Sequence, residues 1–105
     1  MRVLFDNEPL ISTHPCEIIK DEIESRGISQ RTLAAQIGVS PTQLNEVLNG
    51  KRALNTEMAM LISAVLDINA DPLLAMQTRY DMVTARRNKT FLTKLDSIRK
   101  IVAVL

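Results

Sequence analysis

From Ile28 to Arg52 the apolar positions fall at three- and four-residue steps: Leu33, Ala34, Ile37, Val39, Leu44, Val47 and Leu48. That period predicts two short amphipathic helices rather than strands. Polar and small residues punctuate the pattern twice in the same way. Ser29 stands where it can accept from the free N–H groups of a first helix, with Ile28 and Leu33 spaced as a hydrophobic staple around it. Ser40 repeats the arrangement for a second helix, with Pro41 at the first helical position and Val39 and Leu44 as the second staple. Gly38 lies where the chain must turn sharply, and Asn49-Gly50 supplies the left-handed residue that stops the second helix.

Burying the apolar set crosses one helix over the other and leaves Thr42, Gln43, Asn45, Glu46 and Asn49 outward. Apart from Glu46 these are uncharged, of short to medium length, and carry both donors and acceptors. Such a face suits base edges in the DNA major groove. Any solvated helix also shows a polar face. Two capped helices at this turn length, followed by Lys51-Arg52, favour DNA over mere solvation.

Outside this pair, His14-Pro15-Cys16-Glu17 predicts the start of an earlier helix. His14 is its cap, Glu17 sits in its first turn, Ile18, Ile19 and Ile23 form its buried side, and Gly27 ends it. Asn55 is expected to cap a fourth helix with the stripe Met58, Leu61, Ile62, Val65 and Leu66. Asp71-Pro72 is expected to cap and start a fifth, with Leu73, Leu74, Met76, Tyr80 and Val83 as a broad apolar face. From Arg86 six cations stand against Asp96 alone, locally +5, while Phe91, Leu92, Leu95, Ile98, Ile101, Val102 and Leu105 recur at helical spacing. This predicts a basic amphipathic helix needing a partner. Dimerisation or packing on its own domain is favoured over nucleic-acid phosphates or an acidic membrane surface. At the other end Arg2-Val3-Leu4-Phe5 reads as a short strand and Asp6-Asn7-Glu8-Pro9 as a turn, in an arm expected to order on a partner. The expected organisation is an arm over 1–13, a helix-turn-helix domain over 14–85 and a C-terminal helix over 86–105.

Composition narrows the function. The 105 residues suit one small domain, and 46% hydrophobic residues with only 3% aromatics predict an aliphatic core. The formal net charge is +1, from 13 basic and 12 acidic residues, so any affinity for nucleic acid must be local. A single Cys excludes an intrachain disulfide. His14 and Cys16 are the sole His and Cys, too few to close a structural zinc site, and no acid or amide is placed to orient that His as a base. No phosphate loop or nucleophile–base pair appears, so neither an enzyme nor a cofactor nor a metal is expected. No run approaches a membrane span and the N-terminus does not read as a secretory signal, so a cytoplasmic protein is the default.

Several motifs are shared with a known family. His14-Pro15-x-Glu17-Ile18 is followed by Gly27-Ile28-Ser29-Gln30, x-x-Leu33-Ala34, Ile37-Gly38-Val39-Ser40-Pro41, Leu48-Asn49-Gly50-Lys51-Arg52 and Glu57-Met58-Ala59. Gln77-x-x-Tyr80-Asp81 completes the set. From His14 to Asp81 the chain resembles the HigA-type antitoxins of the lambda-repressor-like (XRE) helix-turn-helix class. It departs from that pattern at Cys16 (usually Gly), Thr56 (commonly Pro), Glu46 (commonly polar or basic) and in lacking an aromatic pair near Pro72-Leu73. The resemblance implies an all-α, five-helix lambda-repressor-like domain, here with a short N-terminal arm and an additional C-terminal amphipathic helix. It also implies an antitoxin that neutralises a RelE-like, mRNA-cleaving toxin and dimerises on an operator palindrome to repress its own operon. The alternatives are a stand-alone XRE-type repressor and a protein-interaction module that no longer binds DNA.

On the DNA reading, Thr42, Gln43, Asn45 and Glu46 are the base-reading candidates. Gln43 is placed to bond adenine bidentately, and Glu46 to accept from cytosine N4. Gln30, Arg31, Ser40, Lys51 and Arg52 are the phosphate candidates. One copy spans too few base pairs to be selective, so a homodimer on double-stranded operator DNA is expected, with half-sites roughly 34 Å apart.

Overall fold

The computed structural model describes residues 13–105, so the expected N-terminal strand and turn lie outside the described residues. Six helices follow: α1 Pro15–Ser25, α2 Gln30–Ile37, α3 Pro41–Leu48, α4 Thr56–Leu66, α5 Ala70–Arg87 and α6 Lys89–Ala103. No strand is present among the described residues, and the all-helical class is as expected. Two compact units are distinguished, one spanning Thr13–Thr78 and one containing Arg79–Leu105, with the boundary inside α5.

Local chemistry sets the helix limits. His14 Nδ1 accepts from Cys16 N at 3.1 Å, Ser29 Oγ from Thr32 N at 3.0 Å, Ser40 Oγ from Gln43 N at 3.1 Å and Asn55 Oδ1 from Met58 N at 2.8 Å. Each supplies an acceptor to a first-turn N–H that has no partner within its helix. At the other ends, Gly27, Gly38 and Gly50 take φ of +68°, +75° and +76°. The residue after each returns its N–H five residues back: Ile28 to Ile23 O at 2.8 Å, Val39 to Ala34 O at 3.0 Å, and Lys51 to Glu46 O at 2.8 Å. These are Schellman closures. α4 closes in the same way, Ile68 N to Ser63 O at 3.1 Å, but with Asp67 at φ +53° in the left-handed place.

One expected start moves. Asn69 Oδ1, not Asp71, accepts at the head of α5, from Asp71 N at 3.0 Å. The helix therefore begins at Ala70 with Asp71 and Pro72 inside its first turn. The missing N–H of Pro72 costs nothing there, because first-turn N–H groups have no helical acceptor.

The core of the Thr13–Thr78 unit is aliphatic. α2 packs on α3 and α4, and α1 packs on α3. Ile19, Leu33, Leu44, Leu48, Ile62 and Leu66 are fully buried, and Ile28 and Val39 seal the two staples as partly buried residues. Two expected core residues are not in it. Ile18 is 38% exposed because α1 turns Cys16, Ile19 and Ile23 inward, and Ile18 lies one step round the helix from that line. Leu61 is 42% exposed because Met58, Ala59, Ile62 and Leu66 form the buried line of α4. Leu54 N donates to Oε1 of the buried Gln77 at 3.0 Å, tying the α3–α4 connection to α5. In α6 no residue is buried, and Phe91, Leu92, Ile98, Ile101 and Val102 remain exposed.

Cys16 is a core residue. Its thiol donates to Val47 O at 3.1 Å, joining α1 to α3, and burial pushes its pKa from 9.0 up to about 11, with Lys20 opposing and Glu17 adding to the rise. A raised folded-state pKa keeps the proton on the native state after the unfolded chain has lost it. Its stabilising contribution is complete below pH 9.0 and is lost as pH climbs to about 11. Urea unfolding across that window is expected to show wild type losing stability at up to ~1.4 kcal/mol per pH unit more than Cys16→Ala. Parallel curves would remove Cys16 as the titrating group.

Ser63 Oγ is buried with no hydrogen-bond partner. Its hydration is lost without replacement. Ser63→Ala removes that cost and gains helix propensity, and is expected to stabilise by about 0.5–1.5 kcal/mol in equilibrium denaturation. A loss of stability would mean that the hydroxyl has a partner, such as a bound water.

Candidate nucleic-acid interface

The interface candidate is assembled by the α2–turn–α3 unit. Leu33, Ala34 and Ile37 bury one side of α2, and Leu44, Val47 and Leu48 bury one side of α3. The 3.6-residue period then decides what points out. Thr42, Gln43 and Asn45 are exposed along α3, while Glu46 is half-buried at its C-terminal end. Arg31 is exposed and Gln30 half-exposed in the first turn of α2, Ser40 stands at the head of α3, and Lys51 and Arg52 are exposed just beyond its end.

Side-chain bonds link these residues into pairs that spacing alone does not show. Asn45 Nδ2 donates to Gln30 Oε1 at 3.3 Å, so a base-reading candidate and a phosphate candidate are tied across the two helices. Ser29 Oγ donates to Thr32 Oγ1 at 2.8 Å while accepting from Thr32 N, fixing the entry to α2. Arg52 Nε donates to Glu46 Oε2 at 3.1 Å. The expectations treated Gln30 and Asn45, and Glu46 and Arg52, as independent. The partners lie 15 and 6 residues apart, the first pair meeting across the α2–α3 turn and the second across the closure at the end of α3.

The charge pattern at the helix heads is uneven. α1, α4 and α5 carry Glu17, Glu57 and Asp71 in their first turns, where a carboxylate offsets the positive end of the helix dipole. α6 carries no acid there, and neither do α2 and α3. α2 and α3 each have a hydroxyl cap and leave other first-turn N–H groups unpaired within the helix. Arg31 adds a full positive charge at the positive end of α2, a placement that is unfavourable until an anion approaches. Among the described residues no group of three or more His, Cys, Asp or Glu is placed to hold a metal ion.

The Ser40 cap holds the head of α3 and so its outward face. Ser40→Ala is expected to lower the unfolding free energy by about 1 kcal/mol, and Ser40→Asp, which keeps a capping oxygen, to retain most of it. Equal losses in denaturant titrations of the two variants would show that the cap contributes nothing.

Similarity to known proteins coincides with this unit. A helix-turn-helix family model, HTH_3, matches residues 19–73. Virulence-associated protein I of Dichelobacter nodosus is 32% identical over 77 residues, spanning 72% of this chain and 71% of that one. Virulence-associated protein A′ of the same organism is 35% identical over 71 residues, 66% of this chain and 61% of that one. YddM of Escherichia coli (strain K12), described as an uncharacterised HTH-type transcriptional regulator, is 27% identical over 73 residues, 70% and 78% of the two chains. In three dimensions the chain is similar to PA4674 of Pseudomonas aeruginosa, crystallised in complex with its operator DNA (18bp). The TM-score is 0.66 at 28% identity, covering 76% of this chain and 88% of that one. The α2–turn–α3 geometry and these matches agree, and the chain belongs to the HTH_3, XRE-type helix-turn-helix family.

Proposed function

We propose that this protein is a sequence-specific DNA-binding regulator that acts as a homodimer on an operator palindrome. We further propose that it is the antitoxin of a toxin–antitoxin pair, binding a RelE-like, mRNA-cleaving toxin and repressing its own operon in the cytoplasm. The observation that carries the DNA reading is the α2–α3 unit itself. It presents Thr42, Gln43 and Asn45 outward from α3, flanked by two helix heads without acids and by Arg31, Lys51 and Arg52. The similarity to a protein crystallised on its operator supports the same reading.

The division of labour follows from chemistry. Phosphates are met by the N–H groups at the heads of α2 and α3 with Gln30, Arg31 and Ser40, and by Lys51 and Arg52 at the far end of α3. Bases are met by the outward face of α3, where the Gln43 amide can pair with adenine N6 and N7. The net charge is only +1, so nonspecific attraction is weak and selectivity rests on these local contacts. Two copies related by a twofold axis are needed for a site long enough to be selective. The antitoxin part rests on the resemblance of the His14–Asp81 motifs to that family.

A stand-alone repressor uses the same face, and the similarity to YddM, described as a transcriptional regulator, favours it. Co-purification with the product of an adjacent small gene, and suppression of that product's mRNA cleavage, separate the two readings. Failure of both leaves the repressor. For the DNA reading, anisotropy titrations on the protein's own promoter are the test. Gln43→Ala is expected to cost about 1–3 kcal/mol on the preferred operator and to relax preference at one base pair. Equal loss on every sequence removes Gln43 from base reading, and a wild-type protein with no preference for its promoter removes the regulator reading.

A further inference from the structure

We infer that Glu46 is a positioning residue that aims Arg52 at the DNA backbone, and not a base-reading acceptor; this rests on the DNA-binding reading above. Its place is electrostatically poor on its own. Glu46 lies in the last turn of α3, beside the negative end of the helix dipole, and that turn contains no basic residue. On the proposed interface it also lies near phosphates, which repel it. Arg52 removes both penalties through the contact of its Nε with Glu46 Oε2 at 3.1 Å.

The backbone fixes this pair more firmly than a floating surface ion pair. The carbonyl of Glu46 accepts from Lys51 N at 2.8 Å and from Arg52 N at 3.3 Å, so the chain beyond Gly50 is folded back over the residue that Arg52 must meet. Much of the ordering cost that makes exposed ion pairs weak is therefore already met by the helix closure. The two partners are unequal in exposure. The Glu46 side chain is 32% exposed and that of Arg52 57%, so the acid is the inner member and the guanidinium the outer one.

The contact is made by Nε. It does not require the Nη hydrogens, which form the fork that binds phosphate bidentately. A carboxylate reading cytosine must offer its lone pairs to N4. Here Oε2 accepts from Arg52, so a base contact that keeps the pair is confined to Oε1.

The test is a double-mutant cycle in DNA binding, using Glu46→Ala, Arg52→Ala and the double variant, with Glu46→Gln as the conservative replacement whose amide oxygen can still accept from Nε. Glu46→Ala is expected to weaken binding about three- to tenfold on the operator and equally on each single-base variant of it, leaving base preference intact. In the Arg52→Ala background the same change is expected to move affinity less than about twofold, and Glu46→Gln is expected to recover most of the loss. In the free protein the Arg52 Nε–Hε NMR signal should shift and lose exchange protection in Glu46→Ala. Thermal melting of each variant separates loss of fold from loss of aim. Three outcomes overturn the inference while leaving DNA binding standing: a changed preference at one base pair, equal effects in both Arg52 backgrounds, or tighter binding by Glu46→Ala with a steeper salt dependence. A wild-type protein that binds no DNA overturns the inference and the regulator reading together.

Discussion

The crossing of α2 and α3 is the constraint on which the rest depends. It is made by Leu33, Ala34 and Ile37 meeting Leu44, Val47 and Leu48, with Gly38 at φ +75° letting the chain reverse direction in a few residues. A side chain other than glycine at that angle is strained by roughly 1–2 kcal/mol. Once the crossing is set, the exposed face of α3 has no freedom, because the residues between the buried ones must point outward. α1 and α4 then complete the burial, and the thiol of Cys16 reaching Val47 O ties α1 to the back of α3.

Acids are unevenly placed at the helix heads. A near-neutral chain places acids at the heads of α1, α4 and α5 but not at that of α6, nor at those of α2 and α3. Acids at those two heads would stabilise the helices, so their absence has a cost. On the DNA reading proposed above, a phosphate would supply the missing negative charge. The same economy applies at the far end of α3, where Glu46 and Arg52 cancel each other locally and leave Lys51 as the net cation.

Much of the fold was legible because its signals are local. Ser29, Ser40, His14 and Asn55 were expected as caps and are caps, since a capping side chain acts two or three residues away. The seven apolar residues of the α2–α3 unit were expected inside, and six are buried with Val39 partly so. Two misreadings share one cause. Ile18 and Leu61 are apolar residues next to a buried line, and only the direction of the neighbouring helix decides whether such a residue faces in or out. The start of α5 is a separate case: two cap candidates stand two residues apart, and Asn69 is the one whose side chain accepts, from Asp71 N.

By itself the sequence determined the helix limits other than the start of α5, the turn between α2 and α3 and the set of residues on the outer face of α3. Each follows from backbone preference, capping or the 3.6-residue period, all of which act within one helical turn. Only the tertiary structure decided the pairings. Gln30 meets Asn45 across the α2–α3 turn, Glu46 meets Arg52 across the closure of α3, and Leu54 meets Gln77 from 23 residues away. The first and third depend on the placement of whole helices, and the second on side-chain geometry beyond a helix end, neither of which the apolar period encodes.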